Sequence, residues 1–208
     1  MTPTQKFTPE QIKTLIAGIA QSLGVVPPPY DKDNWAHRIA LPDEAGIYIS
    51  YNGYKHRVHI SGIWPTSRLA GESHKTFTPS DVYPHPADTS ISISAAKSPA
   101  QIATEILRRF LPAYRVVLAQ CLVVRERHET FVKTQNSVAD RIAASLGVPR
   151  PAGHDNQPGT SFDLPKSLTA PEHSPYGSIS VSGETVRFAI NSVPAAQALK
   201  LVEFLKTL

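Results

Sequence analysis

Cations, a tyrosine and small hydroxyls recur at alternate positions in four short segments of this sequence: Arg38, Tyr48, Ser50, Lys55, Arg57, His59, Ser90, Ser92 and Ser94. On β-strands, whose side chains alternate with a period of two, these residues share one face. Ile39, Leu41, Ile47, Ile49, Val58, Ile60, Ile91 and Ile93 share the other. Guanidinium and ammonium groups hold phosphates, rings stack on bases, and serines let a backbone approach closely. Such a face suits nucleic acid. Three or four phosphate contacts would give a log–log salt slope of roughly −3. The competing reading is a sheet with one solvated face and no ligand.

A second candidate lies in the segment 64–89, where Trp64, Arg68, His74, Lys75, Phe77 and Tyr83 stand among several prolines. Aromatics mixed with cations stack on bases or anchor a protein partner; they also fold back to cover a sheet edge. Arg108 and Arg109, with Arg115 beyond them, form a third basic cluster, suited either to a partner or to water. Trp64, Arg68, Phe77, Tyr83, Arg108 and Arg109 are therefore the candidate protein-contacting residues.

Catalytic chemistry finds little to work with. The eight histidines are scattered, and none stands at the spacing of a helical zinc site. His74, Asp81, His85 and Asp88 share one loop but supply no recognised ligand pattern. The sequence holds no nucleophile elbow, no phosphate-binding P-loop and no dinucleotide fingerprint. Cys121 is the only cysteine, which excludes an intrachain disulfide and a thiolate metal cage. It falls on an apolar helical stripe, where a small buried hydrophobe is expected. The expectation is a non-enzyme without cofactor or metal.

The elements that position these residues read clearly. Thr8-Pro9-Glu10-Gln11 is a capping box with proline at the first helical position, followed by Ile12, Leu15, Ile16, Ile19 and Leu23 at helical spacing and a stop at Gly24. Strands are predicted at 38–41, 47–52, 54–61 and 90–95, with Asn52-Gly53 as a hairpin turn. Ser98-Pro99-Ala100-Gln101 opens another helix. Residues 113–146 contain neither Gly nor Pro, so they form one long helix or two with a break near Asn136-Ser137. Tyr114, Val117, Cys121, Val124, His128, Phe131, Gln135, Val138 and Ile142 mark a heptad-like seam, which predicts a dimer if it is left over for a partner. Pro112 separates or kinks this helix from the one before.

A repeat organises the whole. Ile19-Ala20-Gln21-Ser22-Leu23-Gly24-Val25 matches Ile142-Ala143-Ala144-Ser145-Leu146-Gly147-Val148, and prolines follow both. Ile39-Ala40-Leu41-Pro42 then matches Phe162-Asp163-Leu164-Pro165, and Gly46-Ile47-Tyr48 matches Gly177-Ser178-Ile179. The predicted fold class is α+β: tandem α-β-β-β(-β)-α units, their antiparallel sheets packed by helices. The first spans 1–112 with the long loop 64–89, a helical connector spans 113–136, and a shorter unit spans 137–208. Its last helix starts at Pro194, with Ala198, Leu201, Val202 and Leu205 inward.

Charge sets few limits. The net charge of +4 divides as 14 Lys and Arg against 11 Asp and Glu in residues 1–129, and 7 against 6 in residues 130–208. A mildly basic chain accepts an acidic partner and does not mimic DNA. The longest apolar runs are too short to cross a bilayer, and the N-terminus lacks a signal-peptide block, so a cytoplasmic, membrane-free protein is expected.

The α-β-β-β-α order resembles the double-stranded-RNA-binding domain, whose last helix docks a lysine cluster on phosphates. Here the matching stretch, Ala96-Lys97-Ser98-Pro99-Ala100-Gln101, holds one lysine. That resemblance implies RNA contact through Lys97 at a helix N-terminus. Ile91-Ser92-Ile93-Ser94, Pro99, Ile102-Ala103 and Arg108 to Tyr114 are similar to a segment of uncharacterised phage and mobile-element proteins. This implies an accessory or host-modulating role. Two functions follow as expectations: a nucleic-acid-binding protein using the first sheet, or an inhibitor of a host defence complex using loop 64–89 or the helical seam.

Overall fold

The computed structural model describes residues 6–29, 36–72, 74–84, 89–150, 161–163 and 176–191. The chain is α+β and divides into two compact units, Met1–Arg68 with Glu72–Glu126, and Leu69–Gly71 with Arg127–Leu208.

The first unit opens with α1 (Pro9–Ser22). Thr8 Oγ1 accepts from the Gln11 N–H at 3.3 Å and Gln11 Oε1 accepts from the Thr8 N–H at 2.8 Å, closing the expected capping box. Leu15, Ile16, Ile19 and Ala20 form its buried stripe. The helix stops at Gly24, whose φ of +74° favours glycine, with the Val25 N–H bonded to the Ala20 carbonyl at 3.0 Å.

Four strands follow: β1 (Ala36–Ala40), β2 (Gly46–Asn52), β3 (Arg57–Gly62) and β4 (Ser90–Ser94). They pair in sequence order as an antiparallel meander. Ile39, Ile47, Ile49, Val58 and Ile60 are each at most 1% exposed and pack with Ile16 and Ile19 of α1. Truncating one such isoleucine to alanine costs about 2–5 kcal/mol. The Asn52-Gly53 hairpin is present but not as a two-residue turn. Asn52 pairs with Arg57 across a four-residue loop, and the Asn52 side-chain carbonyl accepts from the backbone N–H groups of Tyr54 and Lys55. The strand expected from residue 54 therefore begins at Arg57.

Helix α2 (Pro99–Glu105) passes through a π-helical stretch, Ile106–Phe110, directly into α3 (Leu111–Leu146). Pro112 neither breaks nor ends the helix. The Leu111 N–H bonds five residues back to the Ile106 carbonyl, and this wider turn lies just before the missing proline N–H. No break occurs near Asn136. Residues 113–126, expected as connector, belong to the first unit, because Tyr114, Val117, Leu118 and Cys121 are buried there. The Tyr114 hydroxyl accepts from the Gly46 N–H at 3.2 Å and donates to the Ile63 carbonyl at 2.7 Å. Its ring lies against Gly62, where a Cβ would come within 2.3 Å of it.

The second unit is a three-stranded antiparallel meander, β5 (Ser161–Asp163), β6 (Tyr176–Ser182) and β7 (Thr185–Asn191). Phe162, Ile179 and Val181 pack on Ala139 and Ala143 of α3. The Gln135 amide donates to the Val181 carbonyl at 2.7 Å. Helix α3 ends as α1 does: Gly147 has a φ of +65° and the Val148 N–H bonds to the Ala143 carbonyl at 3.1 Å. The helix expected from Pro194 lies outside the described residues.

The glycines that align the two halves of the sequence do not align their strands. Ile39 stands opposite Ile47, and Phe162 stands opposite Ile179. Ile47 therefore corresponds to Ile179, and Tyr48 to Ser180, one residue from the sequence match.

Most apolar members of the heptad-like seam are used inside the chain, while Phe131 is 46% exposed. Tyr114, Val117 and Cys121 are buried in the first unit, while Val138 and Ile142 pack on the core of the second. Those residues offer no seam for a dimer.

Candidate nucleic-acid interface

The outer face of β1–β4 is built as ladder rows. Arg38, Tyr48, Ser61 and Ser90 stand side by side across the four strands. Ser50, His59 and Ser92 form the next row, and Asn52, Arg57 and Ser94 the one after. Rows are about 6.8 Å apart along the strands, and neighbouring strands about 4.8 Å apart. Arg38, Tyr48, Arg57 and His59 are all exposed. Tyr48 keeps 42% of its surface in water although it sits on an interior strand, because the hydroxyl-bearing neighbours are too short to cover it. No Asp or Glu stands in any of these rows. Ser61 and Asn52, which sequence reasoning left out, complete the rows; the same alternation points to them.

Arg57 lies across β4. Its Nε donates to Ser92 Oγ at 3.1 Å and a terminal nitrogen donates to the Ser92 carbonyl. Three of its five N–H donors stay available for an anion. Lys55 is exposed but sits in the hairpin loop rather than on the face. His56, in the same loop with a φ of +47°, accepts or donates at Nδ1 with the Tyr51 hydroxyl at 2.9 Å and packs edge-on against Phe7.

Lys97 is not the free lysine a phosphate-docking helix terminus requires. Its Nζ lies 2.9 Å from Glu105 Oε1, and Arg109 holds the other carboxylate oxygen at 2.9 Å, with Arg108 at 4.0 Å. Hydrogen bonds from Lys97 and then Arg109 hold the Glu105 carboxyl at a pKa of about 2, well below 4.5. Arg108 and Arg109 are exposed, but Glu105 neutralises part of their charge.

Within loop 64–89, Phe77 and Val82 pack on Val117 and Cys121 of α3. Thr66 bridges Thr76, the Phe77 N–H bonds to the Pro65 carbonyl at 2.8 Å, and Pro79–Asp81 forms a 3-10 turn. Phe77, only 3% exposed, packs with Val82, Val117 and Cys121, so it is no partner anchor. Trp64 is half-buried and meets the Tyr114 ring edge-on at 5.3 Å. Arg68 is exposed, and Tyr83 is 91% exposed.

His85, Asp88, His154 and His173 lie outside the described residues. Among the described residues no group of three His, Cys, Asp or Glu side chains is placed to hold a metal. Burial, with Asp81 nearby, pushes the Cys121 thiol up to about 11, so it is protonated and poorly nucleophilic at neutral pH. Among the described residues no helix is long and apolar enough to cross a membrane.

The second unit's outer face carries Ser161, Ser178, Ser180, Ser182, Thr185, Arg187 and Ala189. Among these residues Arg187 is the one cation; Asp163 and Tyr176 hold further register positions in the same rows. No protein-family model, curated protein or solved structure matches the chain.

Proposed function

We propose that this chain is a non-catalytic binding protein that contacts nucleic acid through the outer face of β1–β4. The observation that supports this reading is the row in which Arg38 stands beside an outward Tyr48, on a face with Arg57 and no carboxylate. None of these side chains contributes to the first unit's core, so their types are not dictated by packing. Phosphates would meet Arg38, Arg57 and, from the hairpin loop, Lys55. Lys97 stays with Glu105.

A gel-shift titration across salt concentrations tests the reading. Three contacts to a single strand predict a slope of log K against log salt of about −2. Arg57→Ala should weaken binding and flatten the slope. Absent or salt-insensitive binding would remove the proposal. The competing reading, an inhibitor acting through loop 64–89 or the seam, is weakened by the burial of Phe77 and the internal use of Tyr114, Val117 and Cys121. Recovering the tagged protein from its host, before and after nuclease treatment, separates the two: partners that survive nuclease favour the inhibitor.

A further inference from the structure

We infer that this face takes single-stranded rather than duplex nucleic acid, an inference that rests on the nucleic-acid reading above. Tyr48 decides it. A duplex presents phosphates on the outside of a cylinder and keeps its bases stacked, so a ring in the middle of a sheet face gains nothing from it. Unpaired bases offer π-faces to any exposed ring, and each stacked base adds binding energy. Tyr48 has Ser61 directly opposite on β3 and Arg38 opposite on β1, with Ser50 and His59 in the next row. On the Ser61 side a flat base can lie against the ring without displacing a bulky neighbour.

The cations are placed for a strand that crosses the face. Arg38 lies on β1 in the Tyr48 row, and Arg57 lies on β3 two rows further along. Two strand spacings and two row spacings put them about 17 Å apart on the diagonal, and the line between them passes over Ser50, with Tyr48 and His59 together on one side of it. A short run of nucleotides can place phosphates near both ends and bases over the middle. No free lysine cluster stands at the N-terminus of α2. The one lysine there is held by Glu105.

Fluorescence anisotropy with labelled oligo-dT, oligo-U and a mixed-sequence duplex tests this on the full chain. The expected result is single-strand binding at least about tenfold tighter than duplex binding, lowered roughly five- to hundredfold by Tyr48→Ala. Tyr48→Phe, which keeps the ring, should stay within about twofold. Because Tyr48 is exposed, both variants should keep the parent's melting curve. Duplex binding equal to or tighter than single-strand binding would overturn the inference. So would Tyr48→Ala matching the parent while Arg57→Ala weakens binding. Either outcome leaves the nucleic-acid reading standing. Binding to none of the three probes overturns both.

Discussion

The two sheets share a plan on the inside and differ on the outside. In each, a meander buries an alternating apolar face against a helix that ends in the same glycine cap, Gly24 or Gly147. Outside, the first sheet carries Arg38, Tyr48, Arg57 and His59, where the described side chains of the second are serines, a threonine, Ala189 and Arg187. Tyr48 and Ser180 occupy equivalent register positions, as do Arg38 and Ser161. At these two positions the second sheet is built with serines, so the strand pairing itself does not require the arginine–tyrosine pair. The presence of that pair in one sheet needs a reason other than packing.

The largest test contrasts inside with outside. Ile60→Ala should cost the first unit about 2–5 kcal/mol in a urea titration, whereas Tyr48→Ala should stay within about 0.5 kcal/mol. Comparable losses from both would mean that Tyr48 is a packing residue. A transplant comes next. In an Arg38→Ala/Tyr48→Ala background, Ser161→Arg with Ser180→Tyr recreates the cross-strand pair on the second sheet. It should recover roughly fivefold in single-strand affinity; no gain would show that the pair needs its first-sheet surroundings.

Salt dependence offers a finer measure. Removing both Arg38 and Arg57 should flatten the log–log slope by about 1.4 for a single strand. An unchanged slope would put the phosphate contacts elsewhere.

The smallest effect is acid sensitivity, confined to the first unit. Glu105 is held at about 2 in the folded chain against an ordinary 4.5. Its pairing with Lys97 and Arg109 thus favours folding above pH 4.5, and that help is lost as pH falls toward 2. Glu105→Gln should flatten the fall of melting temperature across that window. A variant with the parent's pH profile would show that the cluster adds nothing to folding.

Much of this was legible in the residues themselves. Thr8-Pro9-Glu10-Gln11 and Ser98-Pro99-Ala100-Gln101 specify their caps locally, and the isoleucines of β2–β4 announce their alternation without tertiary help. The failures occurred where a distant partner decides. Pro112 reads as a helix end or a kink, yet a π-helical turn and the burial of Phe110, Leu111 and Tyr114 carry the helix through it. Phe77 reads equally as a partner anchor or as cover for a sheet edge, because the strip of α3 that covers it, Val117 and Cys121, lies far along the chain. Lys55 slipped off the face because Asn52 accepts two backbone N–H groups and lengthens the turn. The candidate face itself was visible except for Ser61 and Asn52. Which cations are free was not, since the Lys97–Glu105 pair joins residues on different elements.

The hydroxyl of Tyr114 sets where this chain can be cut. An expression fragment ending at Pro112 would strip the Gly46 N–H and the Ile63 carbonyl of the group that serves both, at the very edge where β2 begins. It would also leave Gly62 facing a void the size of a phenol ring. A fragment ending at Glu126 keeps that wedge in place, so laboratory dissection of the first unit belongs after the helix has passed its fourth turn beyond the proline, not at the proline itself.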